Sequence, residues 1–318
     1  MGAGGRRLCV LAHVRAAEIY ETGSEEGPMA EYVVAGVTGH TGSVVAQTLL
    51  DSGRKVRVLV RDPHKAERWK KRGAHVGQGD LSSAHDLLNA LRGPEAAFFL
   101  LPPFPPSTTG VRGKAKKTID AMVQAIGGTD VKHVVFLSSI GAQHADGTGI
   151  VVLLHDAEQE LKTLKTPVTF LRACYFMENW APALPDAKEG LLNTFLPAEL
   201  KWSHVAAHDV GHTAAQLLLE HPKQHRVVEL AGPEEVGPAE VARVLSKLLE
   251  TEVEPIVEPL DQVAEAFTGM GFSPEHAAMY QHLYQAIASG ALRWEHPESV
   301  VRGTETLEQA LAAMLAKL

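Results

Sequence analysis

The residues with the clearest chemical potential in this 318-residue chain are Gly36-Val37-Thr38-Gly39-His40-Thr41-Gly42. They follow the apolar run Tyr32-Val33-Val34-Ala35. They precede Ser43–Leu50, where Val45/Leu49 and Ala46/Leu50 pair at helical spacing. Strand, glycine-rich turn and helix in that order make a phosphate cradle. Glycines allow the tight turn and let the backbone approach a pyrophosphate. The first turn of the helix then offers unpaired N–H groups and the positive end of its dipole. The spacing is G-x-x-G-x-x-G rather than G-x-G-x-x-G, so the flanking strand and helix carry the assignment. Gly36, Thr38, Gly39, His40, Thr41 and Gly42 are thus candidate cofactor-binding residues.

Arg61 closes the second apolar segment, about 20 residues past the motif. An acidic residue there would take the ribose 2′-hydroxyl of NAD, whereas an arginine suits the 2′-phosphate of NADP. A guanidinium offers phosphate a planar fork, and Lys65 follows one turn later. The expected cofactor is therefore NADP(H) in preference to NAD(H). Asp80, after Gly79, suits an adenine contact or equally a helix cap. Leu101 and Pro102 would give the cofactor ribose an apolar wall. Ser138 and Ser139 end a later apolar segment, and Gln143, His144 and His155 are the next polar candidates. His155 would donate a proton to a substrate oxygen or hydrogen-bond the nicotinamide ribose. An exposed histidine at a helix start explains it equally well. Ser138 and His155 are the candidate catalytic residues. No tyrosine stands four residues before a lysine, so the Tyr-x-x-x-Lys pair of hydride-transferring short-chain dehydrogenases is missing.

These residues must be positioned by alternating elements. Lys55–Val60 alternates as a strand. Pro63–Lys71 reads as a short helix entered through Pro63, Ala74–Gly77 as a strand, and Ser83/Asp86 as a capping box. Ala96–Leu101 and His133–Leu137 are continuously apolar, as in strands buried on both faces, with a helix over Lys117–Ile126 between them. The repeated βαβ pattern predicts an α/β fold: a Rossmann-type, doubly wound parallel sheet over residues 29–180. Ligands then sit at the carboxyl ends of the strands. Those ends are Gly36–Gly42, Arg61, Asp80, Leu101–Pro103, Ser138–Gly141 and Ala173–Asn179, the last bringing in Tyr175, Phe176 and Met177. Residues 181–318 are read as a smaller, mostly helical part that forms the substrate pocket and between which and the sheet the chain can cross. Its helices are expected from Asp209, as N-cap, to Leu219, and over 238–249, 261–270, 274–288 and 306–316, with a strand at 226–230.

Composition narrows the function classes. The net charge is −8 with no Lys/Arg block, which argues against nucleic acid. No apolar run reaches the roughly 18 residues of a membrane span. Two cysteines, Cys9 and Cys174, leave no disulfide framework and suit a reducing, cytoplasmic setting. Cys174 reads as a small apolar filler. His204, His208 and His212 recur at four-residue spacing, but Asp209 as a cap would leave the first two outside the helix, so no metal is expected. Residues 1–28 read as a disordered leader or extension, with Met29 a natural start.

The strand ends together resemble the NmrA-like branch of the atypical short-chain dehydrogenases. The resemblance rests on the glycine turn, Val60-Arg61-Asp62, Gly79-Asp80-Leu81, Phe136–Ala142 and Phe170–Asn179 with its Phe176-Met177-Glu178-Asn179. It extends to Glu229–Pro233 and Arg302-Gly303-Thr304. It implies NADP(H) in the first domain, Thr38 to Thr41 on the phosphates and Arg61 on the adenosine ribose phosphate. It also implies Ser138, Phe176 and Met177 near the nicotinamide. The chain departs from the family at Ala173, where proline is frequent. It also lacks the lysine that isoflavone-reductase-like relatives carry after the fifth strand. The resemblance leaves two functions: an NADPH-dependent reductase of a quinone or similar conjugated carbonyl, or a non-catalytic NADP(H) redox sensor with a protein partner. Partners are then a small quinone-like molecule, and either a second copy in a homodimer or a regulatory protein.

Overall fold

A computed structural model describes residues 31–318; the expectations for residues 1–28, Met29 and Cys9 lie outside the described residues. Eight parallel strands form the central sheet. They are β1 (Tyr32–Ala35), β2 (Val56–Val60), β3 (His75–Gln78), β4 (Ala96–Leu100), β5 (His133–Ser139), β6 (Val168–Ala173), β10 (Arg226–Ala231) and β13 (Val301–Arg302). Their order is β13-β10-β6-β5-β4-β1-β2-β3. The chain runs outward from β1 through β2 to β3, then restarts at β4 on the other side of β1. That reversal is the topological switch point where open α/β sheets bind ligands.

Side-chain alternation explains the two layers. Tyr32, Val34, Phe98, Val135 and Leu171 face one way and pack under α1 (His40–Asp51), α2 (Glu67–Lys71) and α7 (Ala207–Leu218). Val33, Ala35, Phe99, Val134, Phe136 and Phe170 face the other way. They pack under α3 (Ala84–Ala90), α4 (Val111–Gly127) and α5 (Val152–Leu161). A strand buried on both faces has no polar register, which is why β4 and β5 are nearly all apolar.

Past residue 180 the chain supplies α6 (Leu184–Ala187), α7, α8 (Pro238–Leu249), α9 (Val263–Gly269), α10 (Pro274–Ala288) and α11 (Leu307–Leu315). It also returns twice to the central sheet, through β10 and β13. Two small sheets complete it. One orders β11 (Glu235–Val236), β9 (Trp202–Val205) and β7 (Tyr175–Phe176); the other pairs β12 (Glu254–Val257) with β8 (Leu191–Thr194). A third core of Met177, Trp180, Leu184, Leu245 and Leu311 holds this part together.

Asp209 does not cap α7. The cap residue is Ala206, and the Glu178 carboxylate accepts the Ala207 N–H with both oxygens at 3.0 Å. Asp209 lies inside the first turn, 8% exposed, and its Oδ2 accepts the N–H groups of Thr304 and Glu305, both at 2.9 Å. A Cβ on Gly303 would collide with that carboxylate, so the glycine lets the chain after β13 pass over it. Sequence spacing makes Asp209 look local when its partners lie 95 and 96 residues away.

Candidate functional site

The site is built at the switch point. Gly36 takes φ +70°, the left-handed conformation that glycine adopts without strain. Its carbonyl accepts the Gly39 N–H at 2.9 Å, closing the turn. Gly39 is the extended N-cap of α1 and no side chain caps that helix. The N–H groups of its first turn therefore have no partner from the helix itself. A Cβ on Gly42 would come within 2.5 Å of the Ala35 and Gly36 carbonyl oxygens, so only glycine lets the helix start this close to β1. Thr38, Gly39 and His40 are exposed at the tip, while Thr41 and Gly42 are buried beneath it. Leu100 at the end of β4 presses on Gly36 from the neighbouring strand. On α7, Gly211 fits against Val44 and the Thr41 carbonyl, which seats α1 from behind. This open, glycine-lined turn with free amides fits a diphosphate.

At the end of β2, Arg61 and Lys65 are exposed, and Arg61 makes no ion pair among the described residues. Asp62 instead caps the turn after it, accepting the His64 N–H at 3.0 Å. Asp80 bends back on its own loop, with Oδ1 accepting the N–H and hydroxyl of Ser82, both at 2.8 Å. Those bonds hold its carboxyl below the ordinary range against the opposing effect of burial, with Arg61 and Lys117 adding to the depression. One residue the spacing did not reveal joins this edge. Arg68 donates to the Val37 carbonyl at 3.0 Å, and its guanidinium lies 4.6 Å above the Trp69 ring, whose Nε1 donates to the same carbonyl. The glycine turn is thus flanked by two cations, Arg61 and Arg68.

At the other edge the structure separates the predicted residues. Ser138 lies on the α5 side of β5, 3% exposed, and donates its hydroxyl to Glu158 Oε1 at 2.6 Å. Arg172, its register partner on β6, grips the same carboxylate through Nε (2.8 Å) and Nη2 (2.7 Å), and donates through Nη1 to Glu295. Burial alone would raise the Glu158 carboxyl, but Arg172, Ser138 and Lys162 outweigh it and hold it below the usual range. Ser139, one residue on, is half-buried on the opposite face, and its hydroxyl donates to the Ile140 carbonyl at 3.0 Å. Nδ1 of His155 sits 2.9 Å from the Ala142 carbonyl, which can only accept, so Nδ1 carries the proton and Nε2 the lone pair of the neutral ring.

The segment Tyr175–Asn179 divides similarly. Phe176 is half-buried against the first core. Met177 is wholly buried in the third. Tyr175 is half-buried, edge-on to Trp202 and His204, and its phenol faces that of Tyr284 on α10. Burial pushes the Tyr175 phenol well up, and Tyr284 adds to the rise. Leu101 and Pro102 are half-buried at the exit of β4.

Cys174 is buried and its thiol is pushed up to about 12 by burial, so no thiolate forms near neutrality. The three histidines do not converge. His204 is buried on β9 and accepts from Trp180 Nε1 at 3.2 Å, whereas His208 and His212 both stand on α7 with their rings stacked. Among the described residues no group of three His, Cys, Asp or Glu side chains could hold a metal, and no helix is long and apolar enough to cross a membrane.

The description of the NmrA-like family matches residues 30–311. An NAD(P)H azoreductase from Xenophilus azovorans is 30% identical over 256 residues, covering 79% of this chain and 85% of that protein. Quinone oxidoreductase 2 of Escherichia coli (strain K12) is 25% identical over 218 residues, 67% of this chain and 73% of its own length. Among solved structures, an NADPH-dependent quinone oxidoreductase from Escherichia coli, complexed with NADPH, aligns with a TM-score of 0.75 at 22% identity. That alignment covers 89% of this chain and 99% of that one.

Proposed function

This chain belongs to the NmrA-like family, and we propose that it is an NADPH-dependent reductase that delivers hydride to a quinone or similar conjugated carbonyl. The observation that carries the reading is the uncapped glycine turn at the switch point, open to a diphosphate and flanked by unpaired arginine. The names of the azoreductase and quinone oxidoreductase relatives support it.

In this reading Gly36, Thr38, Gly39, His40, Thr41 and Gly42 hold the phosphates by backbone amides, aided by the helix dipole. Arg61 and Lys65 take the 2′-phosphate, which makes NADP(H) the preferred cofactor. Asp80 contacts the adenine end, and Leu101 and Pro102 wall the ribose. Ser139, Tyr175 and Phe176 border the nicotinamide end, while Ser138 and Met177, both buried, position them from beneath. His155 acts through Nε2 as an acceptor for a ribose hydroxyl, because its Nδ1 proton is committed to Ala142. The bound nicotinamide supplies the hydride. A quinone's reduced anion is well stabilised by its own conjugation, so such an acceptor does not require the missing tyrosine acid.

The test is loss of NADPH absorbance with a panel of quinones, alongside calorimetry of NADPH and NADP+. Turnover with at least one quinone is expected. Cofactor binding with no turnover across the panel overturns the reductase reading. Unequal affinity for the two redox forms would then favour redox sensing.

A further inference from the structure

One carbonyl of the glycine turn is held by two side chains from outside the turn. The Gly39 N–H closes Gly36–Gly39 on the Gly36 carbonyl at 2.9 Å, so the unit joining Val37 to Thr38 is the middle peptide of that turn. Among the described residues no backbone N–H reaches the Val37 carbonyl. Helix α2 supplies both donors instead: Nη2 of Arg68 at 3.0 Å and Nε1 of Trp69 at 3.3 Å. A carbonyl oxygen carries two lone pairs, and two donors occupy both.

Burial fixes this arrangement. Val37 is 0% and Trp69 3% exposed, and the indole sits in the first core with Val37, Ala66 and Ala74. An indole N–H can only donate. Turned away from Val37 it would be buried without a partner, a state that folded proteins avoid. Arg68 is exposed, but its guanidinium lies over the Trp69 ring, 4.6 Å from the centre, and that stacking holds Nη2 at the carbonyl.

The consequence falls on the far side of the turn. There is no cis peptide among the described residues, so the Thr38 N–H points opposite to the Val37 carbonyl, away from α2. That N–H has no hydrogen-bond partner among the described residues, and Thr38 is exposed at the tip of the turn. Flipping the peptide would put Thr38 at a positive φ, which a β-branched residue resists. The two donors therefore set where the turn sits rather than its type. They also join it to the stretch that carries Arg61 and Lys65, since α2 starts at Glu67. We propose that Arg68 and Trp69 are positioning residues for cofactor binding. Through the Val37 carbonyl they hold the diphosphate turn in place beside the Arg61–Lys65 stretch, and neither touches the cofactor. The inference rests on the reading that NADP(H) binds at this turn.

The experiment is calorimetry on the full-length chain with NADP+, NAD+, ADP, which carries the diphosphate alone, and 2′-AMP, which carries the 2′-phosphate alone. Trp69→Phe keeps a ring beneath Arg68, changes no charge and removes one donor. It should weaken NADP+, NAD+ and ADP by a common factor of about 2 to 12, the worth of one hydrogen bond, and leave 2′-AMP unchanged. Should Trp69→Phe fail to fold, Arg68→Met is the second variant, at an exposed position. In ~0.5 M salt, which screens exposed charge, it should give the same pattern. A role confined to stability would shift the urea midpoint of either variant and leave the affinities of the folded protein in place, which overturns the proposal. So does a loss selective for NADP+ and 2′-AMP in Arg68→Met, because it marks Arg68 as a direct ligand of the 2′-phosphate. If the parent chain binds no dinucleotide at millimolar concentration, the cofactor reading falls first and the proposal with it.

Discussion

Replacing Arg172 by methionine tests how the sheet holds the loop that follows β5. The guanidinium is 1% exposed and the Glu158 carboxylate 0%. Removing the cation leaves that carboxylate with the Ser138 hydroxyl and the more exposed Lys162 ammonium, 3.3 Å away. Breaking a buried pair on one side costs about 3–5 kcal/mol, because the surviving charge stays desolvated. Set against a typical total of ~5–15 kcal/mol, that is a large fraction. The pH dependence supplies a second signature. With Arg172 present the folded carboxyl titrates below its unfolded value, so its contribution is present above that value and fades only in acid. Without Arg172, burial dominates and the folded carboxyl titrates above its unfolded value. The variant's deficit should then shrink as pH falls from about 7 to about 5, since the folded state gains the proton first. Urea unfolding at both pH values measures this. The double variant Glu158→Gln/Arg172→Met should recover much of the loss, because no buried charge then remains. A single-variant deficit under about 1 kcal/mol, or one that does not narrow in acid, would refute the reasoning.

Three further outcomes are expected. Gly42→Ala places a Cβ against backbone carbonyls that no rotamer change can move; at about 1–3 kcal/mol for overpacking, cofactor affinity should drop roughly 5- to 150-fold by calorimetry. Arg61→Glu should weaken NADPH about tenfold relative to NADH, the lower end for a charge-assisted bond at an exposed site, and an unchanged NADPH/NADH ratio counts against the 2′-phosphate assignment. His133 is buried, and burial above all, then Arg226 and His221, lowers its imidazole to about 4. It stays neutral when folded but binds a proton when unfolded below about pH 6.5. Stability should therefore fall as pH drops from about 6.5 to about 4, by up to ~1.4 kcal/mol per pH unit for this group, and His133→Leu should flatten that slope in urea titrations.

The parallel sheet was readable because its strands are apolar runs punctuated by glycine, proline and caps. The helices over 238–249 and 274–288 end where their periodicity ends, and Ser83 accepts the Asp86 N–H as its spacing implies. The site's inner side was less readable, because its determinants are contacts across the sheet. Alternation along β5 already sets Ser138 and Ser139 on opposite faces, but not which face carries α5. Arg172, a charge inside Phe170-Leu171-Arg172-Ala173, signals that a buried partner must exist; nothing local says that the partner is Glu158 on the preceding helix, α5. Arg68 has no sequence signal, since its bond to the Val37 carbonyl arises from how α2 lies beside the glycine turn.

The ionisable groups around the end of β5 are arranged to hold position. Glu158, Arg172, Ser138 and Glu295 form one network that joins α5, β6, β5 and the segment after α10. Burial pushes the Tyr175 phenol well up, and Nδ1 of His155 is committed to a backbone carbonyl. The same network clamps the end of β5 to the segment that carries Trp294. A frame held this way keeps the end of β5 and the 291–296 segment in fixed register with the sheet.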